Sequence, residues 1–226
     1  MNATSRCLVA AVGIFAFVAV SVCAAAAPAA KAAIDPAKLP PPKRIVVPKL
    51  RGAVVVDGEL NESVWAKAAV LGPFVPASGS GQAREATVVR VWYDDTALHL
   101  GWTCTDADIQ ATFTARDSRF WEEEVVEFFI TSRDLTRYFE LQWNPLGGVF
   151  DAIIRNTLDA RGVSKKFDGD WNYTAKGMKS AVQVRGTVGN SNDRDEQWQV
   201  EVSIPFADLE EATPKPGWHV AGMNCR

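Results

Sequence analysis

The stretch YFELQWNPLGGVFDAIIRN, residues 138–156, constrains this chain more than any other. Apolar and polar residues alternate on either side of a proline and two glycines, and a period of two sends successive side chains to opposite faces of a strand. Two strands joined by a turn follow directly. The pattern recurs in TVVRVWYDDTALHLGWTC (87–104), two strands around an Asp94-Asp95 turn, and in VVEFFI (125–130), separated from YFELQWN by the polar SRDLTR. SAVQVRGTV (180–188) and QWQVEVSI (197–204) read as later strands. AVVVD (53–57), grouped with the alternating strand segments, runs into an Asp57-Gly58 turn signal, NESVWAKAA reads as a short helix with Asn61 as its N-cap, and PFADL as a short turn or helix. Many short strands with almost no long helical pattern predict an all-β fold. The expected form is an antiparallel β-sandwich, jelly-roll or immunoglobulin-like, with one or two short helices.

The first residues stand apart from that pattern. Residues 1–27 carry one arginine, an apolar run and then small residues with several A-x-A choices, the build of a secretory signal peptide cleaved near Ala25 or Ala27. The apolar run falls short of the roughly 20 residues a membrane span needs. Cys23 stands where lipid could be attached, but the Val22 before it is bulky where a small residue is preferred. Residues 28–48 are rich in proline and alanine and read as a linker. Residues 50–226 then make one domain. Loss of the signal peptide leaves 23 basic and 27 acidic residues, a net charge of −4, with no basic stripe, so nucleic acid is not an expected partner. A secreted or periplasmic protein is expected. There Cys104 and Cys225 either pair or stay as two buried thiols.

Alternation also sorts the candidate site residues. In 138–144, Phe139, Leu141 and Trp143 form the core face, and Tyr138, Glu140, Gln142 and Asn144 the other. In 149–156, Asp151 and Arg155 fall together, opposite Phe150, Ala152 and Ile154. Glu127 lies between Val125 and Phe129. With these strands as neighbours, the reading gathers Glu127, Glu140, Gln142, Asp151 and Arg155 on one sheet surface, with Arg155 as the partner of the half-shielded Glu127. Carboxylate, amide, guanidinium and phenol are the groups that hydrogen-bond sugar hydroxyls. A plain solvated surface has the same alternation. Trp143, Trp198, Trp102 and Trp65 read as core and Trp92 as ambiguous. Trp121, in a charged loop, and Trp171, in the turn-rich FDGDWNY, read either as sugar-stacking indoles or as loop residues folded back over the core.

The segments VDGELNESVW, YDDTALHLGW, WEEEVVEFFI, YFELQWNPLGGVFD and WQVEVSIPFADL, in this order, resemble the family 9 carbohydrate-binding modules over most of residues 50–226. Those are β-sandwich domains attached to xylanases and other secreted polysaccharide-degrading enzymes, or exported alone. The resemblance implies a poly- or oligosaccharide ligand and secreted glycoside hydrolases as partners. It makes Trp121 one wall of an aromatic sugar clamp and Glu127 a polar contact. Members of that family can also hold a structural calcium in acidic loops, for which Asp106 and Asp108 of TDAD are the nearest candidates here. The chain departs from the family in two places. The second clamp tryptophan belongs to a segment beyond WHVAGMNCR, so either the domain is truncated at its C-terminus or its clamp is incomplete, with Trp171 as the available substitute. Glu140 stands near a point where well-known members carry a basic residue.

Two other classes compete. A glycoside hydrolase would use Glu127 and Glu140 as a retaining carboxylate pair. A haem-binding redox domain, as on related sandwiches, would draw on His99, His219, Met178 and Met223. The chain has no G-x-S-x-G, H-E-x-x-H, C-x-x-C or phosphate-binding glycine loop.

Overall fold

The alternating segments become strands whose apolar halves meet. The computed structural model describes residues 45–76, 83–131, 136–160, 164–210 and 223–225. It contains ten strands: β1 (Ala69–Leu71), β2 (Thr87–Tyr93), β3 (Ala97–Thr105), β4 (Val126–Ile130), β5 (Arg137–Trp143), β6 (Val149–Leu158), β7 (Ser164–Asp170), β8 (Lys179–Arg185), β9 (Gln197–Pro205) and β10 (Met223–Cys225). They form two five-stranded sheets, in the order β1-β2-β3-β9-β8 and β10-β4-β5-β6-β7, with every ladder antiparallel. The expected β-sandwich is what forms. The described residues include 3-10 turns at Trp65–Lys67, Phe120–Glu122 and Phe206–Asp208. The chain divides into residues 1–35, outside the described residues, and 36–226, which holds both sheets. The expected signal peptide lies outside the described residues, as does most of the linker.

The core lies between the sheets. Leu98, Leu100 and Trp102 of β3 and Trp198, Val200 and Val202 of β9 meet Val126 and Phe128 of β4 and Phe139, Leu141 and Trp143 of β5. Trp102 and Trp143 touch across the gap with ring centroids 5.3 Å apart. Each such side chain contributes roughly 1.5–3 kcal/mol by leaving water. Cys104 is buried in this layer. The side chain of Cys225 lies outside the described residues, and with it the choice between a bridge and two buried thiols.

Two local expectations are corrected. AVVVD (53–57) makes no strand, because carboxylates rather than a neighbouring strand take its N–H groups. Val55 N donates to Glu62 Oε1 (2.9 Å), and Asp57 N and Gly58 N donate to Glu201 Oε2 (2.9 and 3.1 Å). Asn61 is not an N-cap. The turn starts at Trp65, its cap position is Val64 with no side-chain bond, and Asn61 Nδ2 donates instead to Glu59 Oε2. The result is a strap over the outside of the first sheet. It is anchored by Trp65, which meets Trp92 edge-on and donates Nε1–H to Glu201 Oε1 (3.1 Å).

Candidate functional site

The outside of the second sheet is decided by register. Glu127 pairs with Gln142 and Gln142 with Phe150; Phe129 pairs with Glu140 and Glu140 with Ala152; Tyr138 pairs with Ile154 and Ile154 with Gly169. Directly opposed residues share a face. Glu127, Glu140 and Gln142 therefore do come together, beside Tyr138, Phe150, Ala152 and Ile154.

Asp151 and Arg155 do not join them. Leu141 opposes Asp151 and Arg137 opposes Arg155, which puts both on the side facing the other sheet. The cause is the β5–β6 turn. Gly147 N donates to Asn144 O (3.0 Å), Asn144 N faces Gly148 O (3.4 Å), and Gly147 has φ of +76°. Pro145-Leu146-Gly147 is thus a three-residue hairpin loop with its last residue left-handed, the geometry glycine adopts without penalty. This sets Asn144 against Gly148, and a one-residue difference in register exchanges the faces. Asp151 is fully buried and holds Arg116 Nη2 (2.5 Å) and Ala175 N (2.7 Å) on Oδ2. Burial raises its carboxyl against the pull of those donors. Arg155 lies 3.8 Å from Asp170, so the Glu127–Arg155 pair expected from sequence does not form. Asn144 is also committed elsewhere: Oδ1 accepts Gly148 N (2.8 Å) and Nδ2 donates to Phe113 O (2.8 Å).

The polar part of the face is a tight group. Gln142 Nε2 donates to Glu127 Oε1 (3.0 Å) and to Glu140 Oε1 (2.7 Å). Glu127 is only 3% exposed. Burial lifts the Glu140 carboxyl to about 7, helped by the charge of Glu127 and opposed by the Gln142 bond. Burial likewise lifts Tyr138 to about 12, with Glu140 next in effect.

Beside this group lies an aromatic floor. Phe120, Val125, Phe150, Ala152 and Ile154 form a second apolar cluster, with Phe113, Trp121 and Tyr138 packed on its edge. Trp121 meets Phe150 edge-on at 5.6 Å, and Trp171 meets the same ring at a tilt of 57°, also at 5.6 Å. Trp171 is 48% exposed and has Phe167 6.0 Å away. It can lie on β7 because residue 169 is glycine: a Cβ there would stand 2.5 Å from the indole. Phe150, Ala152, Ile154, Tyr138 and Phe167 are members of this face that the sequence reading did not select as site residues. The NPLG turn was the signal that could have found Phe150, since it fixes Gln142 opposite Phe150.

The glutamates before β4 hold the loop that carries Trp121. Glu123 accepts the N–H groups of Thr112 (2.7 Å) and Phe113 (3.1 Å), Glu124 Oε1 accepts Gln110 N (3.0 Å), and Glu122 pairs with Arg119 (2.9 Å). Burial, a hydrogen bond that protonated Glu124 makes to Asp106, and the charge of Glu85 together raise Glu124 to about 8.

Asp106 and Asp108, the calcium candidates, are bound into a turn. Asp106 Oδ1 accepts Asp108 N (3.0 Å) and Asp108 Oδ1 accepts Gln110 Nε2 (2.6 Å). Among the described residues no three acidic, histidine or cysteine side chains converge as a metal would require. Of the haem candidates, His219 and the Met223 side chain lie outside the described residues. Met178 packs against the inter-sheet core, whereas His99 stacks on Trp92 on the outside of the first sheet and bonds Asp94 through Nε2 (3.2 Å).

Fold and face define a class: a two-sheet β-sandwich module whose second sheet carries a half-exposed Trp171 and a part-buried Glu140 beside the buried Glu127 and Gln142. The family follows from the chain itself. The profile of carbohydrate-binding family 9 matches residues 82–207, more than half of the sequence, and the chain belongs to that family. In fold it is similar to a candidate carbohydrate-binding protein from Bacteroides uniformis, at 17% identity over 78% of this chain and 76% of that one, with a TM-score of 0.53. A family 9 module from Caldicellulosiruptor kristjanssonii in complex with cellotriose is 16% identical over 72% of this chain and 67% of that one. Its TM-score of 0.44 marks a superposition too loose to carry a site across. No curated protein matches the sequence.

Proposed function

We propose that the protein is a non-catalytic carbohydrate-binding module that takes a poly- or oligosaccharide on the outside of the β4–β7 sheet. The observation that carries this reading is the pair of indoles, Trp121 and Trp171, each 5.6 Å from Phe150 and beside the Glu127–Gln142–Glu140 group. Pyranose rings stack their C–H faces on such indoles, while carboxylates and amides take the equatorial hydroxyls. Trp171 acts as the second wall, supplied by the chain after β7. Each sugar hydrogen bond replaces one to water and is worth about 1 kcal/mol net, so affinity is modest. Family membership supports the ligand class. We further read residues 1–27 as an export signal and the module as a partner of secreted glycoside hydrolases acting on plant-type polysaccharide such as xylan.

The test is tryptophan fluorescence titrated with xylo-, cello- and manno-oligosaccharides. We expect a saturable change with one sugar class, weakened about threefold to tenfold in Trp171→Ala and in Trp121→Ala, in line with roughly 0.5–1.5 kcal/mol for an aromatic contact. A folded protein that responds to none of them sinks the reading.

One observation favours a second reading. Glu140, lifted to about 7 beside Glu127, resembles an acid–base pair. Against it, the two carboxylates accept from one amide group and Glu127 is buried, an arrangement that orients rather than attacks. Release of reducing ends from an oligosaccharide, lost in Glu127→Gln, would establish a hydrolase; no release is expected.

A further inference from the structure

The polar group on the β4–β7 face is short of donors. Gln142 Nε2 has two hydrogens and both are spent, one on Glu127 Oε1 (3.0 Å) and one on Glu140 Oε1 (2.7 Å). Gln142 Oε1 is buried with no hydrogen-bond partner, and the Tyr138 hydroxyl beside the group bonds Asn156. What remains for a ligand is an acceptor. Glu140 Oε2 makes no hydrogen bond within the protein and stays open to water, on a side chain that is only half buried.

Among the described residues no cation answers that oxygen. Register turns Arg137 and Arg155 toward the other sheet, where they pair with Glu210 and Asp170. Arg116 is held by Asp151 and Arg119 by Glu122. Register also connects Glu140 with the exposed indole. Glu140 opposes Ala152, and Ile153 opposes Asp170, so one residue further along the same antiparallel ladder Trp171 comes level with Ala152. Glu140, Ala152 and Trp171 thus stand in one row across β5, β6 and the end of β7. The row spans about 10 Å between its outer backbones, and the residue in the middle is only a methyl group. A short oligosaccharide lying across the strands reaches both ends.

A protonated amine fits this pair. It carries three donors and no acceptor, opposes the charge of a carboxylate and is attracted to the face of an indole. A uronate or sulfated sugar would instead bring acceptors and negative charge to a place that already has both. Burial, helped by the charge of Glu127, lifts the Glu140 carboxyl to about 7, so in the free protein it competes for a proton. The titratable groups around it are Glu127 on β4 and Tyr138 on β5, while β6 presents Ala152.

We propose that the ligand of this face carries a cationic amine: an oligosaccharide with a glucosamine-type residue, its ammonium on Glu140 Oε2 and a sugar ring against Trp171. The proposal rests on the sugar-binding reading of the face and adds the class of sugar. No bond is made or broken.

The probes are the equally linked trimers of glucose, glucosamine and N-acetylglucosamine, which differ in one substituent per ring, with a galacturonate trimer as the anionic control. Each is titrated at pH 7 into the full chain and into Glu140→Gln, with tryptophan fluorescence as the readout. The glucosamine trimer should bind about fivefold to tenfold more tightly than the glucose trimer, as expected for one charge pair at a part-exposed site. The N-acetylated trimer, whose nitrogen is uncharged, should bind like the glucose trimer, and the galacturonate trimer should be the weakest. Glu140→Gln keeps an acceptor for Gln142 and should bring the glucosamine and glucose trimers to one affinity. At about pH 5.5, where Glu140 holds its own proton, the preference should shrink in the parent protein too. Equal affinity for the glucosamine and glucose trimers, or a preference that survives Glu140→Gln, overturns the proposal and leaves the sugar-binding reading in place. Silence toward every trimer overturns that reading and this proposal together.

Discussion

The outer faces of the two sheets begin from the same alternation and end differently. On the first sheet, the strap lays Trp65 and Leu60 over Gly101, where a Cβ would stand 2.6 Å from Leu60, and three of its donors converge on Glu201. That face is sealed over its middle, and its buried carboxylate serves the fold. On the second sheet, the loop before β4 covers only part of the face. Trp171 stays half exposed, while Glu127 and Gln142 are buried and the two carboxylates share one amide. Among the described residues, what the second sheet's outer face leaves exposed is thus the Trp171 indole rather than the buried Glu127 and Gln142. Periodicity is the same in both cases and cannot separate them.

The largest effect should come from breaking the sealed face. Glu201→Ala leaves the N–H groups of Asp57, Gly58 and Trp65 without their acceptor, and we expect a loss of about 3 kcal/mol or more in denaturant unfolding. Sugar titration at a temperature where the variant is folded should be unchanged. Loss of binding in folded Glu201→Ala would mean that the two faces are coupled.

A smaller and opposite pattern is expected from Gly169→Ala. The new Cβ meets the Trp171 ring at 2.5 Å and must displace it. Oligosaccharide affinity should fall by a few-fold, roughly 1 kcal/mol, with stability nearly unchanged because the indole is at the surface. Equal loss of stability and binding would make Trp171 a packing residue.

The smallest effect concerns pH. Glu140 is raised from 4.5 to about 7 in the folded protein, so the native state holds a proton that the unfolded chain has lost. Its contribution is complete below about 4.5 and disappears as pH rises through 7; Glu124, raised to about 8, acts in the same direction over a wider window. The thermal midpoint should therefore decline from about pH 5 to pH 8, and Glu140→Gln should flatten the part below 7. A variant curve as steep as the parent's would remove Glu140 from the account.

Much of the fold was legible because burial on one side of a strand writes itself as alternation. β2 to β6, β8 and β9 were all read from that signal. β7, SKKFDGD, was not, since an edge strand with mostly exposed side chains has no buried face to record. AVVVD looked like a strand because it is apolar, but its donors go to Glu62 and Glu201, which are near it only in space. The face proposed as a site was half legible. Glu127, Glu140 and Gln142 were grouped rightly, and Trp121 and Trp171 are both on the floor at Phe150. Asp151 and Arg155 were placed on the wrong side because the parity of β6 depends on one turn.

The sequence by itself determined the two-sheet sandwich, its core tryptophans and the family, all of which rest on local periodicity and on motif order. Tertiary structure decided which polar residues face outward together and which outward face chain covers. It also decided which glutamate keeps a carboxyl oxygen open to water. These depend on register across hairpins and on contacts between segments more than a hundred residues apart, such as Asp57 with Glu201. A period of two specifies that neighbours alternate, but not the side on which the alternation begins.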